Sequence, residues 1–240
     1  MNKKNRKFFF FIFIATALAA TTSFGLKDGL VHNSIEESAS SVEQVSLSRN
    51  EQNIRSAAVK VVDVQNRGHG SGAYFVINSR HIVITAAHVV DTADIFKVVG
   101  NYGEISIGKV IYRNDQSDFA VLGVQRMDSV RPMRFKTKDR TRSQLIGEDV
   151  FFSGFPASHN TISTRGMVVG FERGNSFILV HSYAWRGSSG SCVFDKGGNL
   201  VGVLTGLDVG MFEVPQLTED MIWVSSIRPE DITALMEVLE

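Results

Sequence analysis

Short apolar runs broken by Gly, Asn and Asp recur along this chain from about residue 57 onward, and they set its secondary structure. Runs rich in Val, Ile and Phe that last about four to ten residues read as strands. On that basis strands are expected over Ala57–Val64, Gly72–Ile77, His81–Thr85, Ile95–Val99, Ile105–Ile111 and Phe119–Val124. A second set is expected over Asp149–Gly154, Ile162–Phe171, Phe177–Ser182, Ser191–Phe194, Leu200–Leu207 and Met221–Ser225. Only the end of the chain switches period. Pro229 opens a segment in which Ile232, Leu235, Met236 and Leu239 recur at helical spacing, with Glu230 and Asp231 in the first turn, so a C-terminal helix is expected there. Many short strands with turn residues between them make a sandwich or barrel.

The N-terminal pattern differs. Lys3, Lys4, Arg6 and Lys7 precede an apolar run from Phe8 to Ala20 that closes on Ala17, Ala19 and Ala20. This reads as a secretory signal peptide over 1–20, and the run is short for a membrane span. Export with cleavage near Ala19 or Ala20 is expected, to the periplasm or the outside, with an uncleaved signal anchor as the alternative. No stable membrane insertion follows cleavage. Residues 21–53 turn to Ser, Glu, Asn and Gln and read as a flexible leader or propeptide. The remaining 54–240 is long enough for one substantial β domain.

Charge and cysteine usage narrow the classes. The formal net charge is zero, and loss of the four unopposed basic residues of the leader leaves a mature chain near −4. No basic stripe is present for nucleic acid to bind. Cys192 is the only cysteine, so no intramolecular disulfide forms, and it reads as a small buried core residue rather than a reactive thiol. No His and Cys cluster has metal-ligand spacing, and no cofactor is expected.

Chemistry concentrates in three stretches: Thr85-Ala86-Ala87-His88, Ser117-Asp118-Phe119-Ala120-Val121-Leu122, and Trp185-Arg186-Gly187-Ser188-Ser189-Gly190-Ser191-Cys192. A serine hydroxyl becomes a nucleophile when a neutral imidazole takes its proton and a carboxylate orients that imidazole. Those roles fall to Ser189, His88 and Asp118. Ser188 and Ser191 crowd the nucleophile position. Asp91, Asp94 and Asp115 are rivals for the carboxylate, but only Asp118 immediately precedes an apolar run that would draw it inward; Asp115 is the main alternative. Gly187 can adopt a backbone angle closed to other residues, which would turn its N–H beside that of Ser189 to form an oxyanion hole.

The order His, Asp, Ser differs from that of α/β-hydrolases, where the serine comes first. Together with Gly70-Ser71-Gly72, Ile82 to Val90, Asp118 to Leu122, Gly154-Phe155-Pro156 and Gly187 to Ser191, it resembles a trypsin-like serine protease of the bacterial HtrA and glutamyl-endopeptidase branch. The likeness spans roughly Ile54 to Glu240 and lacks the PDZ module that follows in many HtrA-type proteins. It implies an all-β fold of two six-stranded antiparallel β-barrels. The first covers about 54–125 and the second about 145–228, followed by a helix at about 229–239 packed on the second barrel. The basic stretch Arg126 to Gln144 would be a solvated connection between them.

The resemblance also implies an exported serine endopeptidase acting on a polypeptide substrate. The alternatives are a catalytically silent binding protein on the same fold, or an esterase. It favours Ser189 as nucleophile, because the donor glycine of the family lies two positions before it. Ser188 stands where digestive members carry the aspartate that pairs with a freed N-terminus, so a site formed without zymogen cleavage is expected. By the same likeness Tyr183 would lie at the base of the specificity pocket with Ala184 beside it, and Leu204, Thr205 and Gly206 would form the opposite wall. Neither wall offers a carboxylate, which implies a small or medium apolar residue before the scissile bond.

Overall fold

The computed structural model describes residues 47–65, 68–91, 93–138, 142–157, 159–172, 176–211 and 215–240. The expected signal peptide and nearly all of the expected leader lie outside them.

Twelve strands form two closed antiparallel barrels, as the family resemblance implies. The first consists of β1 (Ala58–Asp63), β2 (His69–Ile77), β3 (Arg80–Thr85), β4 (Ile95–Gly100), β5 (Ile105–Asn114) and β6 (Phe119–Val124), in the spatial order β1-β2-β3-β6-β5-β4. The second consists of β7 (Asp149–Gly154), β8 (Ile162–Glu172), β9 (Phe177–His181), β10 (Cys192–Asp195), β11 (Leu200–Met211) and β12 (Pro215–Ser226), in the order β10-β11-β12-β9-β8-β7. Helix α1 (Arg49–Ala57) precedes the barrels, a short α2 (Arg142–Leu145) lies between them, and α3 (Pro229–Val238) ends the chain.

Side-chain alternation explains why several strands read as unbroken apolar runs. On β3, Val83 points into the first barrel while Ile82 and Ile84 face the neighbouring barrel. β6 repeats this, with Ala120 and Leu122 inside and Phe119 and Val121 outside. In the second barrel Val193 of β10 is internal, while Cys192 and Phe194 face outward. The outward residues meet in a third core between the barrels, where the Phe75 and Phe194 rings stand 6.3 Å apart. Both faces of these strands are dry, so no polar alternation survives in the sequence.

Two helices are placed differently from expectation. The segment Arg49–Asn53, expected in the leader, belongs to α1, whose N-terminus carries a reciprocal capping box between Ser48 and Glu51. Glu51 is buried and ion-paired with Arg165 of β8, and Arg55 donates to Ser163 Oγ at 3.1 Å, so α1 docks on the second barrel. Conversely, α3 packs on β5 of the first barrel rather than on the second. Its buried Asp231 accepts from Tyr112 Oη at 2.9 Å and Asn114 Nδ2 at 2.8 Å. Leu235 of the helix and Leu239 just after it join the inter-barrel core. Each terminal helix thereby ties one barrel to the other.

The inter-barrel connection is not simply solvated. Arg126, Arg131, Arg134, Lys136 and Lys138 are exposed, but Met127, Val130 and Met133 are buried between them. Its middle is tied through the backbone, by Met133 N–H to Tyr74 O and by Leu200 N–H to Lys136 O.

Candidate active site

His88 lies in a single 3-10 turn (Ala87–Val90) that follows β3. Buried Ala86 and Ala87 bring this turn close to the neighbouring strands. Its backbone N–H donates to Asp118 Oδ1 at 2.9 Å, and its Nδ1 stands 3.0 Å from Oδ1 and 2.9 Å from Oδ2. A carboxylate only accepts, so Nδ1–H is the donor in this pair, and in the neutral imidazole the lone pair is then on Nε2. The Asp118 side chain is 14% exposed against 44% for His88. Asp118 itself sits at φ +47, in the left-handed region, immediately before β6. That unusual backbone is held partly by Ser225 Oγ, which donates to the carbonyl of the preceding Ser117.

The rival aspartates are engaged elsewhere. Arg113 donates from Nε to Asp115 and from Nη2 to Asp91, each at 2.6 Å, and both carboxylates are largely exposed. The two ion pairs brace the turn carrying Asp118 against the end of the turn carrying His88. Asp94 is exposed and lines an open cavity of about 290 Å³ with Val90, Asp91, Ala93, Val110 and Arg113.

The loop before β10 folds as consecutive tight turns. Ser188 N–H bonds Trp185 O at 2.9 Å, Ser191 N–H bonds Ser188 O at 3.0 Å, and the Ser188 hydroxyl accepts from Trp185 N–H at 3.3 Å. Ser188 is therefore used within its own loop. Gly187 (φ +98) and Gly190 (φ +88) supply the two left-handed positions. A Cβ on Gly190 would stand 2.1 Å from Ser71 O, and one on Gly187 2.6 Å from both Phe155 O and His69 Nε2. Among the described residues, neither the Gly187 N–H nor the Ser189 N–H has a hydrogen-bond partner, and Ser189 Oγ has none.

The residues expected to bind substrate are less uniform. Tyr183 is 57% exposed, so it does not form the base of an enclosed pocket, while Ala184 is buried. Leu204 departs from expectation. Its side chain lies in the second-barrel core, its carbonyl accepts from Gly190 and its N–H donates to Ser191, so it supports the nucleophile loop instead of lining a wall. Thr205 and Gly206 are half-buried. Cys192 is buried and burial pushes its thiol far above the usual range. Among the described residues no cluster could hold a metal ion, and no helix is long and apolar enough to cross a membrane.

No role for His69 or Ser71 is read from the sequence beyond the place of Ser71 in the Gly70-Ser71-Gly72 motif. In the structure His69 Nε2 donates to Phe155 O at 2.9 Å behind Gly187, and Ser71 Oγ bonds Gly187 O. The signal was their position beside Gly70 and Gly72; which loop they meet is a long-range fact.

A double barrel that carries a largely shielded carboxylate on a histidine, and a glycine-bounded loop whose Gly187 and Ser189 N–H groups have no partner among the described residues, fits the trypsin-like class. A family model described as "Trypsin-like peptidase domain" matches residues 70–203, and the chain belongs to that family. It is 28% identical over 148 residues to a "Probable periplasmic serine protease do/HhoA-like" of Haemophilus influenzae, covering 59% of this chain and 31% of that protein. It is 27% identical over 146 residues to the "Periplasmic pH-dependent serine endoprotease DegQ" of Escherichia coli, covering 58% and 31%. The chain thus spans about a third of the length of these curated relatives. Among solved structures, the serine endoprotease from Yersinia pestis superposes with a TM-score of 0.62 over 82% of this chain and 68% of that one, at 24% identity.

Proposed function

We propose that this chain is an exported serine endopeptidase that works through a Ser189, His88, Asp118 triad and an acyl-enzyme. The observation that carries this reading is the His88–Asp118 pair, which leaves Nε2 as a free base on the same molecule as the unpartnered Gly187 and Ser189 N–H groups. Ser189 Oγ attacks the scissile carbonyl and gives its proton to His88 Nε2, while Asp118 stabilises the imidazolium. The carbonyl oxygen, now an anion, accepts from the Gly187 and Ser189 N–H groups. Collapse expels the amine, which takes the proton back from His88. Water then attacks the acyl-enzyme, passes its proton to His88 and restores Ser189.

The substrate is a polypeptide, with a small or medium apolar residue before the scissile bond, since the half-buried Thr205 and Gly206 of the remaining wall offer no carboxylate. Export rests on the leader 1–20 and agrees with the periplasmic names of the relatives. The test is fluorophosphonate labelling of the mature protein beside Ser189→Ala and His88→Ala. Labelling lost in both variants is expected; a folded protein that does not label would instead support a fold retained for binding. Turnover of esters but not peptides would replace the endopeptidase with an esterase.

A further inference from the structure

An oxyanion hole exists only while the Gly187 N–H faces the cleft, and glycine, lacking a Cβ, has the least intrinsic resistance to turning away. Two hydrogen bonds fix the peptides on either side of it. The Arg186 carbonyl accepts from Ala157 N–H at 2.6 Å, and the Gly187 carbonyl accepts from Ser71 Oγ at 2.7 Å. In a trans peptide N–H and C=O point opposite ways, so holding the Arg186 carbonyl on Ala157 aims the Gly187 N–H away from it.

Ser71 is the member of this clamp that comes from the other barrel. It is fully buried on β2. Its hydroxyl donates to Gly187 O and accepts from Phe155 N–H at 2.8 Å, its N–H donates to Ser189 O at 2.7 Å, and its carbonyl accepts from Thr85 Oγ1 at 2.7 Å. Thr85 ends β3, three residues before His88. The flanking glycines let β2 approach: a Cβ at Gly70 would stand 2.9 Å from Ser189 O, and one at Gly72 2.8 Å from Ile84 O.

We infer that Ser71 is a positioning residue that holds the Gly187 and Ser189 carbonyls, and so makes the oxyanion hole of the second barrel depend on its registry with the first barrel, which carries His88 and Asp118. The inference rests on the proposed peptidase reading for its catalytic consequence, but the clamp itself can be read without turnover.

The experiment compares wild type, Ser71→Ala and Ser71→Cys, the last keeping a weak donor in a similar volume. Turnover of a peptide amide per folded molecule is expected to fall roughly 10- to 100-fold in kcat for Ser71→Ala at nearly unchanged KM, with partial recovery in Ser71→Cys. Affinity for a peptide aldehyde, whose hemiacetal oxygen occupies the hole, falls in step with kcat/KM. A merely structural role would lower Tm and leave kcat per folded molecule intact, and that result overturns the inference. In parallel, the Gly187 and Ser188 amide signals of ¹⁵N-labelled protein are expected to shift and exchange faster in Ser71→Ala. Unchanged amides overturn the clamp, whereas a wild type that shows the clamp but no turnover overturns the peptidase reading alone.

Discussion

Neutralising Glu51 tests how α1 is held to the second barrel. The carboxylate is 5% exposed and accepts from Arg165 Nη2 at 3.0 Å and from the Ser48 N–H at 2.8 Å. The Arg165 hydrogen bond, helped by Ser48 and opposed by burial, lowers its pKa from 4.5 to about 2. A difference of that size corresponds to about 3 kcal/mol at full value. Arg165 is 52% exposed, so water screens its end of the pair, and about 1–2 kcal/mol is the expected contribution. Because the folded pKa lies below the unfolded one, the contribution is complete above pH 4.5 and is lost as pH falls from 4.5 toward 2. Glu51→Gln retains the capping geometry and removes the charge. Urea unfolding of both proteins between pH 7 and pH 2.5 should show the variant about 1–2 kcal/mol weaker at pH 7, with the gap closing at the acid end. A gap that is absent at pH 7, or constant throughout the range, would refute the reasoning.

Further outcomes follow from the site. Asp118→Asn removes the acceptor that fixes Nδ1–H on His88, and kcat/KM on a peptide amide should fall about 10³- to 10⁴-fold with little change in Tm. Gly187→Ala forces a Cβ into Phe155 O and His69 at φ +98; fluorophosphonate labelling should drop by at least about 100-fold, and retention of the wild-type rate would show that the loop has another productive conformation. His69 is held below its ordinary pKa chiefly by burial, so the unfolded chain takes up its proton first on acidification. Its contribution is flat above about pH 6.5 and declines below it, and His69→Gln should lose less stability than wild type between pH 7 and pH 5. Cys192, buried with a thiol pushed far up, should resist iodoacetamide in the native protein and react once urea unfolds it.

Local pattern carried most of the architecture. Strand periodicity and turn residues are properties of neighbouring residues, and they placed the strands within a few residues of where they fall, the long β11 and β12 hairpin excepted; that these strands close into two six-stranded barrels was implied by the family resemblance. Its outer end, where Val209 pairs with Leu217 and Met211 with Pro215, carries both strands beyond the ranges expected. The start of α1 was also legible, since Ser48 and Glu51 stand at capping-box spacing, but the polar composition around them outweighed that cue.

What folding alone decided are the meetings between distant segments. The apolar run after Asp118 favoured it over Asp115 but did not show what each carboxylate meets: Arg113 holds the first at the surface, and the second, on a left-handed backbone, bonds His88. Leu204 reads as a cleft residue until strand pairing turns it into the second-barrel core. Helix α3 carries an apolar face that would suit either barrel, and Tyr112 and Asn114, buried partners for Asp231, select the first. Ser71 is one serine among many in sequence. It becomes a clamp on Gly187 because two closed barrels, each fixed by its own hydrogen-bond register, bring residues 116 positions apart to 2.7 Å. A sequence pattern records which side of its own strand a residue faces, and the partner on that side is set by how the barrels pack.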